Sequence, residues 1–189
     1  MNNRNNLFFM SLYLLTMLSA PRVWADDDCQ TTFSSPVVDF GQIRQDDVVR
    51  SQQGWLQMPS REVSASVHCS QAQTIALFIR ANAGEQRRFL FGDNSGIAVR
   101  VGQMIVDGHR YAIGKTTDRA GFNVTQSNTD SLLIRNNEGI TAVENNTPVS
   151  GRQMNFTITL TPVLNNRQFS QTTDVSPLES NLVWETLTH

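Results

Sequence analysis

The sequence predicts an all-β protein built as a β-sandwich. Apolar and polar residues alternate in several short segments, which is the period of a half-buried strand. Stretches rich in Asn, Ser and Thr separate these segments and have the composition of turns. Helical periodicity is absent after residue 25. Many short strands with turn signals between them are typical of a sandwich, here a single domain over residues 26–189.

Residues 1–25 have the pattern of a secretory signal peptide. Arg4 supplies a positive charge, residues 7–18 form an apolar run, and Val23 and Ala25 give the small-residue pattern of a cleavage site. The apolar run is too short to span a bilayer. The pattern therefore predicts export through the periplasm, and a retained N-terminal helix is the alternative.

Cys29 and Cys69 are the two cysteines of the chain. A pair of cysteines in an exported protein predicts one disulfide. Two free thiols are the alternative.

The first strong strand signals lie in residues 62–81. Residues 62–69 alternate, which predicts that Val63, Ala65, Val67 and Cys69 face the core and that His68 faces solvent. Residues 74–81 are more continuously apolar, as expected of a central strand.

The remaining segments predict further strands. Residues 96–106 and 109–113 flank Asp107-Gly108, which predicts a hairpin with a two-residue turn. Residues 131–135, 139–143 and 180–189 predict short strands. Residues 152–164 alternate most clearly, and the predicted inward side chains are Met154, Phe156, Ile158 and Leu160. Residues 123–130 and 144–151 predict turns or surface loops.

Charge and motifs argue against several functions. The net charge is −2 and the charged residues are scattered along the chain, so no nucleic-acid partner is expected. No nucleophile-elbow motif places a serine for catalysis. His68, His109 and His189 are not at a metal-ligand spacing from one another. We therefore expect no enzyme activity, metal or cofactor. A small secreted hydrolase is the third and least supported functional hypothesis.

The residues resemble a known family, the subunits of bacterial fimbriae assembled by the chaperone–usher route. The resemblance rests on the order and spacing of Cys29, the segment VVDFGQI at residues 37–43, and Cys69. It continues through RRFLFGDNSGIAVRVG at residues 87–102 and an alternating strand at the C-terminus. It covers nearly all of residues 26–189.

The resemblance implies an immunoglobulin-like sandwich without its final strand. A groove would then lie between the first strand, with Val38 and Phe40, and the last strand, with Leu182 and Trp184. The implied partners are a periplasmic chaperone, an outer-membrane usher and a neighbouring subunit, which complete the fold by adding a strand. The expected location is the fimbrium at the cell surface.

Two functional expectations follow from this resemblance. After the predicted cleavage only Asp26, Asp27 and Asp28 precede Cys29, too few residues to fill a groove at ~3.3 Å per residue. The chain is thus expected to accept a strand but not to donate one, as a tip or minor subunit.

Adhesion is the second expectation, and the polar residues Asn123, Gln126, Asn128 and Arg135 form the predicted contact for a host glycan or protein receptor. Solvated loops without a ligand are the alternative for these residues. A free-standing secreted β-sandwich that binds carbohydrate or protein is the alternative function for the whole chain.

Overall fold

The computed structural model describes residues 29–42, 49–50, 55–84, 87–92, 94–166 and 178–189. The predicted signal peptide, residues 1–25, lies outside these ranges. Within the described ranges no helix has the length and apolar character needed to cross a membrane.

All the regular elements named in these ranges are strands, so the all-β prediction is confirmed. They are β1 (Gln30–Phe33), β2 (Val49–Arg50), β3 (Trp55–Gln57), β4 (Arg61–Arg80), β5 (Phe89–Phe91), β6 (Ser95–Val106), β7 (His109–Arg110), β8 (Ala112–Thr116), β9 (Val124–Asn128), β10 (Ser131–Ile134), β11 (Gly139–Glu144), β12 (Thr147–Pro148), β13 (Ser150–Asn165) and β14 (Val183–Thr188).

The strands form the two layers of an immunoglobulin-like sandwich, and β4 belongs to both. Sheet A has the order β10-β6-β13-β4-β1, with β4 contributing its first half. Sheet B has the order β9-β8-β11-β4-β14, with β4 contributing its second half. The short strands extend these sheets: β3 pairs with β13, β2 with β3, β5 and β7 with β6, and β12 with β11.

The core lies between the two sheets, and the alternation predicted its residues. The inward side chains expected from residues 62–69 and 152–164 are all buried; they are Val63, Ala65, Val67, Cys69, Met154, Phe156, Ile158 and Leu160. His68 is exposed, as expected. Cys69 joins Cys29 in the predicted disulfide, with the two Cα atoms 4.2 Å apart.

Residues 74–81 form the second half of β4 rather than a separate strand. Residues 75–79 are all buried, because β4 has sheet A on one face and a second apolar cluster on the other. That second cluster contains Ala76, Phe78 and Phe122, with Leu187 packed against it. The continuous apolar run therefore reflects a strand that is covered on both faces.

The predicted hairpin at Asp107-Gly108 forms, but its second strand is divided. Asp107 and Gly108 have φ values of 47° and 83°, as a two-residue turn between strands requires. After the turn, β7 pairs with β6 in sheet A for two residues only. The chain then crosses to sheet B, where β8 pairs with β11. The prediction of one strand over residues 109–113 was wrong.

Candidate functional site: an open edge of the sandwich

The first strand is shorter than the resemblance implied. Val38 and Phe40 lie beyond β1 in a segment without strand pairing. Pro36 lacks a backbone N–H, and Gly41 has a φ of 71° and donates its N–H to the Asp39 Oδ1 at 2.7 Å. These local features turn the chain away from an extended ladder. The expected strand at residues 37–43 was therefore wrong for residues 37–42, and residue 43 lies outside the described ranges.

Val38 and Phe40 nevertheless reach the core, as do the two residues predicted on the last strand. All four are partly buried and pack against the main core. The ring of Phe40 meets the ring of Phe91 edge-on at 6.1 Å between centroids. Leu182 precedes β14, and Trp184 lies within it. The four predicted groove residues thus line one side of the sandwich.

On that side, β1 and β14 occupy the same edge of β4. β1 pairs with residues 65–68 and β14 with residues 75–80, while β13 and β11 take the opposite edge. The Thr31 and Thr186 hydroxyls lie 2.6 Å apart, and the rings of Phe33 and Trp184 are 5.5 Å apart between centroids. We call the junction formed by residues 31–40 and 178–188 the seam.

The two strands meet at the seam through side chains, not through a backbone ladder. Among the described residues, β1 and β14 each have β4 as their sole strand partner, and no backbone hydrogen bond joins them. Each strand therefore leaves one edge open within the described structure. Open strand edges are the usual template for strand addition.

The register shows which backbone groups of β14 face the seam. His189 and Thr74 exchange both backbone hydrogen bonds, each 3.0 Å long. Hydrogen-bonded and non-hydrogen-bonded pairs alternate along an antiparallel ladder. Residues 183, 185 and 187 therefore bond to β4. The N–H and C=O groups of Trp184, Thr186 and Thr188 point toward the seam.

The same reasoning applies to β1. The Ser34 N–H donates to the Ser64 carbonyl oxygen at 2.8 Å, so this pair is hydrogen-bonded. Residues 30 and 32 then also face β4, and the backbone groups of Thr31 and Phe33 face the seam. The side chains of these two residues are also the ones that contact β14.

Apolar side chains along the seam are incompletely covered. Val37 is 78% exposed and Val183 is 50% exposed. The partly buried residues of the seam that pack against the core are Phe33, Val38, Phe40, Leu178, Leu182 and Trp184. Burying a side chain of this size completely contributes ~1.5–3 kcal/mol, so an added strand would gain apolar contact here.

The outer face of β14 carries a charge cluster. Glu185 lies 2.5 Å from the Arg119 guanidinium and 3.2 Å from that of Arg80. The hydrogen bond from Arg119, assisted by the charges of Arg119 and Arg80, lowers the pKa of Glu185. No sequence pattern predicted this cluster, because its members lie on three separate segments.

The four residues predicted for receptor binding have separate local environments. The Asn123 amide donates to the Asp118 carboxylate, and the Asn128 Oδ1 accepts the N–H groups of Asp130 and Ser131, so both side chains stabilise their own turns. Gln126 and Arg135 are exposed. No hydrogen bond or ion pair joins these four described residues. Residues 124–128 form β9 rather than the predicted loop.

A shallow depression lies on the outer face of sheet A, beside the seam. Its volume is about 380 Å³, and its lining is uncharged. The lining residues are Thr32, Phe33, Ser34, Ser64, Ala65, Ser66, Gln103, Ile105, Asn155, Phe156 and Thr157. Hydroxyl and amide groups without an acid or base can hydrogen-bond a neutral ligand but supply no proton-transfer group.

Within the described ranges, His, Cys, Asp and Glu side chains form no group of three that could hold a metal ion. Comparison of the chain with protein-family models and with curated proteins found no match.

Proposed function

We propose that this chain is a structural subunit of a chaperone–usher fimbria that accepts a β-strand along the seam. The observation that carries the proposal is the pair of open edges on β1 and β14, flanked by incompletely buried apolar side chains. The Cys29–Cys69 disulfide also supports the proposal, because the family resemblance rests in part on these two cysteines. The protein acts by assembly rather than by catalysis.

The added strand interacts with the seam through both its backbone and its side chains. Its backbone bonds to the seam-facing groups of Trp184, Thr186 and Thr188, at about 1 kcal/mol per hydrogen bond. Its alternate side chains cover Phe33 and the apolar residues that follow β1 and precede β14. Entry of the strand separates Thr31 from Thr186, because their hydroxyls are in contact while the seam is empty.

The partners implied by this function are a periplasmic chaperone, an outer-membrane usher and a neighbouring subunit. The chaperone protects the open edge before assembly, since exposed edges promote aggregation. The predicted short segment before Cys29 supports a tip or minor position, in which the chain accepts but does not donate. Adhesion to a host glycan or protein belongs to the same proposal.

A synthetic strand tests the seam directly. The probe is a peptide in which valine and threonine alternate, with lysines at both ends, and the control peptide has the same composition with the valines grouped. We expect the alternating peptide to bind the disulfide-bonded protein and to raise its melting temperature. Equal binding of both peptides would contradict a strand-accepting seam.

A matched pair of variants makes this test specific. Thr186→Pro removes an N–H that faces the seam while leaving the bonds of residues 185 and 187 to β4. Thr186→Val keeps the N–H and removes only the hydroxyl. We expect Thr186→Pro to weaken peptide binding about tenfold relative to Thr186→Val, since it loses one ladder bond and crowds the next. Equal affinity of the two variants would show that the peptide binds elsewhere.

A self-sufficient secreted binding module is the second candidate. The observation in its favour is the direct contact of Thr31 with Thr186 and of Phe33 with Trp184, which holds the two layers together without an added strand. Periplasmic expression distinguishes the two functions. Coexpression with a fimbrial chaperone should raise the yield of a strand-accepting subunit greatly and should leave that of a self-sufficient module unchanged.

A further inference from the structure

The loop between β8 and β9, residues 117–123, lies over the outer face of the β4–β14 pair. Arg119 contacts both strands: its guanidinium is 2.5 Å from Glu185 on β14 and 4.5 Å from the ring centroid of Phe78 on β4. Phe122 is 1% exposed and packs on Phe78, with 6.5 Å between ring centroids. The loop therefore links β14 to β4, its one strand partner in the described structure, from outside the sandwich.

The same loop also reaches the end of the chain. The ring of Phe122 meets the ring of His189 edge-on at 6.4 Å between centroids, and Leu187 packs against the cluster of Ala76, Phe78 and Phe122. Contacts thus extend along β14 from Glu185 to the residue after the strand. They involve the residues whose backbone groups bond to β4, so they leave the seam-facing groups of β14 available.

The loop has a fixed conformation of its own. The Asp118 carboxylate accepts the backbone N–H groups of Ala120, Gly121 and Asn123, and these bonds lower the pKa of Asp118. The Thr116 hydroxyl, on a fully buried side chain, donates to the Asn123 carbonyl oxygen at 2.8 Å. This network surrounds Phe122.

Phe122 needs that support, because its backbone is strained. Its φ is +54°, a left-handed value that costs an aromatic residue of order 1–3 kcal/mol. A strained conformation persists when its surroundings determine it. The left-handed backbone of Phe122 places its ring against β14. The hydrogen bonds within the loop stabilise this conformation.

We propose that loop 117–123 is a brace that holds β14 in sheet B while the seam is empty, with Arg119 and Phe122 as its positioning residues. Among the described residues β14 has one strand neighbour, and such an edge strand tends to fray. Fraying would remove the strand edge to which an incoming strand binds. The apparent affinity for that strand then falls, because it is proportional to the fraction of protein in which β14 is in place. The role of the brace in strand acceptance rests on the proposed function; its hold on β14 does not.

Amide hydrogen exchange of the intact, disulfide-bonded protein tests the brace. The reporters are the amides of Glu185 and Leu187, which bond to β4. Arg119→Gln removes the ion pair and the contact with the Phe78 ring together, and we expect exchange at the reporters to rise about fivefold. Glu185→Gln removes the ion pairs of Glu185 with Arg119 and Arg80 but keeps the contact of Arg119 with the Phe78 ring, and it should produce a smaller rise at Leu187. Arg100→Gln, which alters an exposed arginine on β6 bonded to Ser131, is the matched control and should produce none.

The outcome depends on where the exchange changes. A rise confined to β14, with the Ile158 amide on β13 unchanged, supports the brace. Reporter exchange within twofold of the wild-type rate, or an equal rise throughout β13, would overturn it. Glu185→Gln keeps the test decisive if Arg119→Gln does not fold.

The alternating valine–threonine peptide separates the two proposals. If the brace holds β14 in the conformation that binds a strand, Arg119→Gln should weaken peptide binding. The loss of affinity should be no larger than the factor by which amide exchange of Glu185 and Leu187 rises. If the peptide fails to bind even the wild-type protein while Arg119→Gln still loosens β14, the brace stands and the strand-accepting function fails.

Discussion

The two lateral edges of the sandwich are closed in different ways. At the far edge, where β10 of sheet A lies near β8 of sheet B, the Lys115 Nζ donates to the Leu133 carbonyl oxygen at 3.4 Å and lies 3.3 Å from the Glu138 carboxylate. That carboxylate also accepts the Arg135 N–H at 2.9 Å. At the seam, one hydroxyl contact and one pair of rings join the layers.

The apolar side chains at the far edge are also more completely buried than those at the seam. Leu132 and Ile134 at the far edge are 4% and 2% exposed. Leu182 and Trp184 at the seam are only partly buried. The far edge thus has hydrogen bonds and an ion pair from side chains and nearly complete apolar packing, whereas the seam has fewer contacts and incompletely buried apolar side chains. Among the described residues β9 and β10 also have one strand partner each, so the two edges differ in packing and not in the presence of open strand edges. The difference indicates that the open seam is a feature of this fold and not a general weakness of its packing.

The largest expected effect concerns how β1 is held at the seam. Cys29 precedes β1, and its disulfide with Cys69 closes a loop with a sequence separation of 40. The double variant Cys29→Ala/Cys69→Ala should lose about 4 kcal/mol of unfolding free energy, because the unfolded chain regains the entropy of that loop. Urea denaturation measures the loss. A change below about 1 kcal/mol would show that β1 does not depend on the disulfide.

The next largest effect concerns the far edge. Lys115→Met should cost about 3 kcal/mol, because it leaves the Glu138 carboxylate, on a side chain only 9% exposed, without its cation. Adding Glu138→Gln should restore part of the loss by removing the unpaired charge. Thermal denaturation of the single and double variants measures both, with the exposed Arg152→Met as control. A double variant no more stable than Lys115→Met would contradict a buried ion pair at this edge.

A pair of leucine truncations compares the edges directly. Leu132→Ala at the far edge should cost about 3 kcal/mol, since it opens a cavity in a fully packed region. Leu182→Ala at the seam should cost about 1 kcal/mol in the free protein, because the side chain is already partly exposed. Chemical denaturation gives both values. Equal losses would remove the distinction between the two edges.

The smallest effect is a dependence on pH at the outer face of β14. The pKa values of Asp118 and Glu185 are lowered in the folded protein. Their contribution to stability is therefore present above the pKa values of the unfolded chain and is lost as the pH falls through the folded values. Melting temperatures should fall in acid, and less steeply for Asp118→Asn/Glu185→Gln. Identical acid slopes for the wild-type and variant proteins would contradict this.

The sequence predicted the fold well where the pattern was local. Alternation identified the inward residues of β13 and of the first half of β4, because one face of each strand meets the core. The Asp107-Gly108 turn followed from the backbone angles that such a dipeptide favours. The disulfide followed from the presence of two cysteines.

The pattern was less informative where long-range contacts decide the structure. The family resemblance predicted a strand over residues 37–43, but Pro36 and the turn at Asp39–Gly41 prevent pairing over residues 37–42. The passage of β4 through both sheets, and of the chain from β7 to β8, depends on which strands meet in space. The single lysine gave no sequence motif, yet Lys115 closes the far edge.

The candidate site was predicted in part. The resemblance placed Val38, Phe40, Leu182 and Trp184 on one groove, and the structure puts all four against the core along the seam. It did not reveal the contacts of Thr31 and Phe33 with β14, nor the loop over its outer face. The contacts of Thr31 and Phe33 with β14 join residues that are far apart in the sequence, with a separation of 155 for Thr31 and Thr186.

Hydrogen exchange along β14, in free protein and with the alternating peptide at saturation, tests the central claim most directly. The open seam predicts fast exchange at Trp184, Thr186 and Thr188 in the free protein, and strong protection of these amides when the peptide is bound. Residues 185 and 187 should be protected in both states. Protection of Thr186 in the free protein, or fast exchange there with the peptide bound, would contradict a seam that accepts a strand.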